Sequence, residues 1–270
     1  MWLRPILLAS LLAASAPAAA QRLAYRDLLT AENGAAPRLD YAPLLDDNAG
    51  EAAVAPAAAG ERVRAVYVDR LEWRPQRGRD AFNWDVSAEL GGRSHRLWLA
   101  TAGDGLIGGP VEYLEVQALY SRPLGESGLA LQAGLRRDFQ PRPRRSYAAL
   151  GVQGNVTDHL YVGGFGFLSH RGELTGRLFG YYDLPLSRRL LLQPAIETEI
   201  AAADVPELGI GAGPVYIEAG LRLRYRAAEA FAPYFGVNWE RLLGRTARFA
   251  REAGDEVDNA ALVFGLRSYF

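Results

Sequence analysis

The feature that most restricts this 270-residue chain is a two-residue alternation of apolar and polar side chains, repeated in short runs from Val63 to the last residue. It is clearest in VYIEAGLRLRYR (215–226). Val215, Ile217, Ala219, Leu221, Leu223 and Tyr225 fall on one face, and Tyr216, Glu218, Gly220, Arg222, Arg224 and Arg226 on the other. Successive side chains of a β-strand point to opposite sides, so this run is a ribbon with one greasy and one charged face. Phe231, Pro233, Phe235, Val237 and Trp239 alternate with Ala232, Tyr234, Gly236, Asn238 and Glu240 in the same way. Phe82, Trp84, Val86, Ala88 and Leu90 alternate with Asn83, Asp85, Ser87 and Glu89, and Leu190 to Ile200 keeps Gln193, Glu197 and Glu199 on its polar side. One such strand would suit a soluble sandwich. Many in succession suit a wall that is apolar outside and polar inside.

Twelve segments qualify, near 63–74, 82–90, 94–102, 111–121, 128–139, 145–156, 159–169, 173–184, 189–201, 214–226, 230–241 and 260–270. An even count returns both ends of a bacterial barrel to the same side of the membrane. The first and seventh are the least regular, because Val66 and Val68 compete with Tyr67, and Gly163, Gly164 and Gly166 blur the faces; ten strands is the alternative. The expected fold is all-β, a transmembrane antiparallel up-and-down β-barrel over 63–270. No stretch of eighteen apolar residues follows the first twenty, so no transmembrane helix is expected. With both termini in the periplasm, the short turns at 91–93, 122–127, 157–158, 185–188 and 227–229 lie inside. The longer GDGLIGG (103–109), 202–213 and 242–259 lie outside.

The opening MWLRPILLASLLAASAPAAA joins Arg4 to an apolar run, Ile6 to Leu12, and a small-residue end at Ala18, Ala19 and Ala20. This is the pattern of a secretory signal, cut before Gln21. Residues 21–62, rich in Ala, Pro and acidic side chains and without a period, read as a flexible periplasmic segment. The chain is thus expected in the outer membrane of a Gram-negative bacterium, with outer-membrane lipid around it and the barrel assembly machinery as a partner. Its last run, AALVFGLRSYF, has Leu262, Phe264 and Leu266 in phase with Phe270. It resembles the C-terminal strand signal of outer-membrane barrels, with Phe270 as the sorting residue.

Composition narrows the chemistry. The absence of Cys removes disulfides, thiolate metal sites and Cys nucleophiles together. The single Met is Met1, which leaves with the signal, and the three His are His95, His159 and His170. A formal charge of −1 argues against nucleic acid as a partner. A lipid-hydrolysing site would need a Ser and a His within hydrogen-bond reach. Ser94 and His95 are adjacent and project to opposite faces, as do Ser169 and His170, while Ser87 meets His95 only under a particular hairpin register. No enzyme is expected.

The charged side chains projected into the interior are Asp85, Glu89, Arg96, Glu115, Arg136, Asp138, Arg177, Asp183, Glu197, Glu199, Glu218, Arg222, Arg224, Glu240 and Arg267, with Gln132 among them. Both signs are present, and enclosed charges must pair or be hydrated. Two arrangements stay open: a salt-bridged interior that stiffens the wall, or a narrow hydrated passage for small ions. A cation pore would show an acidic ring with fewer Arg. Trp84, Trp98, Tyr120, Tyr182, Tyr225, Trp239 and Tyr269 lie towards strand ends and read as interfacial girdles.

Two stretches go beyond this class: GLRLRYRAAEAFAPYFGVNWERLLGRTARFAREAGDEVDNAALVFGLRSYF (220–270), and the pair LYSRPL (119–124) and LQAGLRRDFQPRPRRSYAALGVQG (131–154). They resemble the copper resistance protein B family of outer-membrane barrels. DRLEW (69–73), RLWL (96–99) and RLLLQP (189–194) fit the same family in the same order, so the resemblance covers most of 66–270. It implies a part in copper resistance or homeostasis by copper ion binding, export or exclusion, with copper as the ion handled and periplasmic copper-handling proteins as partners. Family members usually carry a Met- and His-rich leader that supplies the soft ligands copper prefers; here the Ala/Pro segment holds neither residue. Side-chain binding of copper would fall to His95 and His159, near periplasmic turns from which they could approach one another across the rim, with His170 on an outer loop. Two His without Met or Cys make a weak Cu(II) site. The rival reading is a small-solute pore or a structural envelope barrel without metal handling. A monomer is expected, since a chain of this strand number closes alone.

Overall fold

The computed structural model describes residues 63–76, 78–92, 94–228 and 230–270. The expected signal (1–20) and periplasmic segment (21–62) lie outside the described residues. The alternating runs form strands β1 (Val63–Arg74), β2 (Ala81–Gly91), β3 (Arg96–Leu106), β4 (Val111–Pro123), β5 (Leu129–Gln140), β6 (Arg145–Asn155), β7 (Leu160–Ser169), β8 (Leu174–Tyr182), β9 (Leu184–Pro185), β10 (Leu190–Ala201), β11 (Gly213–Tyr225), β12 (Phe231–Leu242) and β13 (Asp258–Tyr269). β9 continues β8 past Asp183 against the same neighbour, β10. The wall is therefore twelve strands wide. Every pairing is antiparallel, and β13 returns to β1 with Tyr269 opposite Tyr67. The Val66 N–H donates to the Phe270 carbonyl (2.9 Å) and the Phe270 N–H to the Val66 carbonyl (2.8 Å), completing the seam.

The cross-strand partners show the stagger. From Tyr67 they run through Ser87, Ala100, Gln117, Arg136 and Tyr147 to Ser169, climbing from the terminal rim, where β1 begins and β13 ends, to the opposite end of β7. Such a climb is what tilted strands in a closed barrel require. All these side chains face the interior, where they are buried or half-buried. The other parity presents Leu135, Leu150, Leu178, Ile196, Phe235 and Leu262 outward, each more than half exposed. An apolar surface wrapped around the molecule is a lipid-facing one.

Two local devices explain the irregular strands. In β1 the register slips between Val68 and Arg70, so the phase changes: Tyr67 faces inward before the bulge, Arg70 and Glu72 after it, and Leu71 and Trp73 turn outward. An extra residue in one strand does this to a ladder. In β7, Gly163 lies directly opposite Phe179, and Gly151 of β6 opposite Phe165. A Cβ on either glycine would run into the partner's ring, so each glycine is a seat for a cross-strand aromatic.

Several expectations are corrected. Trp98 does not join a girdle: it is in phase with Arg96, is 0% exposed and stacks with Tyr67 inside the barrel. Tyr269 also packs against the interior aromatic cluster. Val215 is buried beneath the far-rim loops and does not face lipid, and Arg226 lies beyond the end of β11, exposed. The GDGL of the expected outer loop belongs to β3. The far-rim connections 107–110, 141–144 and 170–173 are as short as the turns at the terminal rim, so the length contrast rests on 202–212 and 243–257.

Replacing Gly163 by Leu should evict the Phe179 ring and lower stability by about 1–3 kcal/mol, the usual scale for overpacking. Denaturant unfolding in detergent micelles measures this; an unchanged midpoint would mean the ring does not depend on its glycine seat.

Candidate functional site

The alternation delivers to the interior a set of ionic side chains from most of the strands, and the closed wall brings distant ones together. Arg177 of β8 is the central tie. Its Nη2 lies 3.4 Å from Glu115 Oε2 on β4 and 3.5 Å from Glu199 Oε2 on β10, with Nε 3.7 Å from Glu197 Oε1. β4 and β8 are not neighbours in the wall, so the contact to Glu115 crosses the lumen. Glu115 also receives Arg136 Nε at 2.9 Å and hydrogen bonds from Tyr113 and Gln117. Arg136 forks onto Asp138 (2.8 and 3.0 Å) and lies over the rings of Tyr147 (5.0 Å) and Phe167 (4.7 Å). Planar guanidinium groups serve both purposes at once.

A second tie centres on Glu72, beyond the β1 bulge. It accepts hydrogen bonds from Arg222 Nε (2.9 Å), Arg74 Nη2 (3.0 Å) and Tyr234 Oη (3.1 Å), with Arg70 3.9 Å away. Arg222 reaches it from β11 over the intervening β12 and β13. Arg224 Nη2 and Gln193 Nε2 both donate to Asp183 Oδ1, at 2.5 and 2.8 Å, Arg267 pairs with Asp69 at 3.3 Å, and Arg96 pairs with Glu89 at 2.9 Å beside the β2–β3 turn. Asp85 and Gln132 are buried within the same interior, Gln132 donating to Ser121 at 3.1 Å. Between and beside these pairs the interior is packed with aromatics, including Tyr161 stacked on Tyr181 at 5.1 Å. Cavities of about 80 and 20 Å³ lie between these groups. Each admits only a few waters, and the ion pairs among the described residues build the salt-bridged arrangement.

Negative charge gathers in one place. Glu197, Glu218 and Glu240 are direct cross-strand partners on β10, β11 and β12, all buried. Like charges directly opposite one another are unfavourable. Glu197 accepts from Tyr216 Oη at 2.5 Å and Glu218 lies 4.0 Å from Arg70, whereas Glu240 has neither hydrogen bond nor ion pair among the described residues.

The long far-rim connections cover this end. The turn Pro206–Leu208 and helix α1 (Gly244–Ala253) pack Val205, Leu208 and Ile210 against Ala247 and Ala250, above Val215 and Tyr216. Gly211 N–H donates to Thr246 Oγ1 at 2.9 Å, and Arg245 pairs with Asp204. Glu207 pairs with Arg145 and, at 2.8 Å, with Arg171, while Arg145 also holds Glu173 at 2.8 Å. Glu173 sits in the turn after β7, outside the spanning segments. Partial burial pushes its carboxyl up, but hydrogen bonds from Arg145 and Ser169 and the Arg145 charge outweigh this and hold it below the usual carboxylate range.

The candidate metal ligands are not assembled. His95 stacks on Tyr120 (5.8 Å between ring centres) and shares a hydrogen bond with its hydroxyl, while His159 lies against Tyr182 (5.7 Å). The β4–β5 turn separates their turns along the rim, so the expected approach does not occur. His170 Nδ1 accepts from the Ser146 N–H at 3.3 Å. Among the described residues no three His, Asp or Glu side chains converge on a point where a metal ion could sit. Ser87 is buried inside while His95 is exposed at the rim, and Ser169 donates to Glu173 at 2.6 Å.

Sequence reasoning missed Arg70, Glu72, Asp104 and Tyr113, and it placed Tyr216 and Tyr234 on the polar face without choosing them as site residues. The bulge hid the first two, Asp104 was assigned to a loop, and the tyrosines carried no charge to mark them. Parity alone finds Tyr113, which is in phase with Glu115 two residues on, as Tyr216 is with Glu218.

Arg177→Met should leave Glu115, Glu197 and Glu199 under-compensated and cost about 3–5 kcal/mol, as removal of one partner from a buried pair does; adding Glu115→Gln and Glu199→Gln should recover part of it. Unfolding midpoints in micelles decide this, and a neutral Arg177→Met would show that the tie carries no net energy. For Glu173, a depressed carboxylate contributes stability that is present above its unfolded value and lost as pH falls through the folded one. The far-rim tether should thus hold at neutral pH and loosen as the pH falls below the usual carboxylate range. Amide exchange across 202–212, corrected for its intrinsic pH dependence, should rise there in the native chain and already be fast at pH 7 in Glu173→Gln; equal profiles would refute the tether.

A family profile described as copper resistance protein B precursor (CopB) matches residues 62–270. The copper resistance protein B homolog of Pseudomonas syringae pv. tomato is 38% identical over 239 residues, covering 86% of this chain and 80% of the relative. Copper resistance protein B of Escherichia coli is 37% identical over 205 residues, covering 76% of this chain and 69% of the relative. Among solved structures, the NanC porin is similar in fold, with a TM-score of 0.50 at 13% identity over 76% of this chain and 99% of that one. With a profile match spanning the whole described barrel and relatives well above 30% identity, the chain belongs to the copper resistance protein B family.

Proposed function

We propose that this barrel sits in the outer membrane of a Gram-negative bacterium, with both termini in the periplasm, and contributes to copper resistance without catalysing a reaction. The observation that carries this reading is that the family match spans the barrel itself, 62–270. The interior supports a restrictive role. Arg177 and Arg222 tie non-neighbouring strands of the wall, and aromatic rings fill much of the rest. A barrel so filled limits free diffusion, so copper is held at its surfaces or kept out. Copper is cargo in this reading, met at the terminal rim by His95 and His159 one at a time, or by interior carboxylates that are harder ligands than it prefers. Outer-membrane lipid, the barrel assembly machinery reading Phe270, and periplasmic copper-handling proteins are the partners implied, and the chain acts as a monomer.

Deletion of the gene should lower growth on graded copper, with zinc and silver as comparisons; unchanged copper tolerance removes the reading. Copper titration of the refolded barrel, with and without His95→Ala and His159→Ala, tests rim binding. Planar-bilayer conductance should be low and should rise in Arg177→Met. A high conductance in the native protein would favour the small-solute pore.

A further inference from the structure

We propose that the far rim at the end of β5 and the β5–β6 turn binds the phosphate groups of an outer-leaflet glycolipid. This rests on the orientation given above, in which that rim faces outward. The lipid-facing side of β5 runs Leu131, Ala133, Leu135, Arg137 and Phe139, with Leu135 68% exposed. An arginine in such a row is costly at the bilayer midplane and nearly free at the interface. Arg137 lies three residues short of the strand end at Gln140, about 10 Å along the strand. That is a headgroup depth. Its guanidinium is steadied by Ser146 Oγ and lies 5.9 Å from the Phe139 ring centre.

The next turn adds Arg142 and Arg144, both exposed. Among the described residues, none of these three arginines makes an ion pair. Several other far-rim cations are matched, Arg241 with Asp258 at 3.3 Å, Arg245 with Asp204 and Arg171 with Glu207 at 2.8 Å, while Arg79 and Arg251 stand singly on other connections. Three uncompensated guanidinium groups therefore share one arc, directly above an apolar surface. Guanidinium forks match phosphate oxygens. The greasy row beneath them, Leu135 and Phe139, suits acyl chains, which selects a lipid phosphate over a free one.

The test uses the full chain in detergent micelles, with bisphosphorylated lipid A as probe and its dephosphorylated form as control, read by native mass spectrometry. The native chain should bind the bisphosphorylated form, and R137Q/R142Q/R144Q should weaken this by about tenfold or more, the scale of losing a charge-assisted contact. Heat-modifiability on gels confirms that the variant is folded. Equal binding by both proteins, no preference for the phosphorylated lipid, or displacement by millimolar inorganic phosphate would each overturn the proposal. Because the chain has no Cys, Arg142→Cys labelled on intact cells reports separately whether this rim faces outward, so a failed orientation is told apart from a failed site.

Discussion

Within hydrocarbon there is no water to satisfy a backbone N–H or carbonyl, and that single constraint organises this molecule. A sheet can cross a bilayer only if it has no edge, and the pairing of β13 with β1 removes the edge. Once the sheet is closed, everything else follows from parity. One set of side chains must be apolar because it meets lipid. The other is enclosed with whatever it contains. Twelve strands set a bore that arginine side chains can span, which is why Arg177 can meet Glu115 from a strand that is not its neighbour.

Within that bore the two kinds of filling divide the labour. Aromatic rings, some seated on glycines, fill part of it, where shape decides the packing, and ion pairs fill another part, where direction does. The two meet at Arg136, which is bonded to carboxylates and stacked on Tyr147 and Phe167. Arg222 and Arg70 do for Glu72 what Arg136 and Arg177 do for Glu115. The row Glu197, Glu218 and Glu240 is the exception, since its compensation fades from one member to the next.

The strand pattern was legible because alternation is enforced by two solvents of opposite character, lipid and enclosed polar space, and the boundaries fell within a few residues of those observed. Less legible was whatever breaks parity. The bulge between Val68 and Arg70 conceals Glu72, the hub of one network, since a single extra residue exchanges the faces of everything after it. Trp98 shows a different limit: its chemistry suits an interface, yet its phase with Arg96 places it inside. The expected meeting of His95 and His159 failed for a third reason. Proximity along a rim depends on how many strands intervene, and each histidine had a tyrosine nearer to hand.

The seam joins the first described strand to the last. Phe270, the final residue, hydrogen-bonds to Val66, so no shorter portion of the polypeptide can possess a complete wall. Closure is therefore a contact of nearly the greatest possible sequence separation, and such contacts are slow to find. This architecture cannot be built up progressively as the chain emerges; it waits on β13, and a polypeptide lacking even that strand would be left with two sticky margins in place of none.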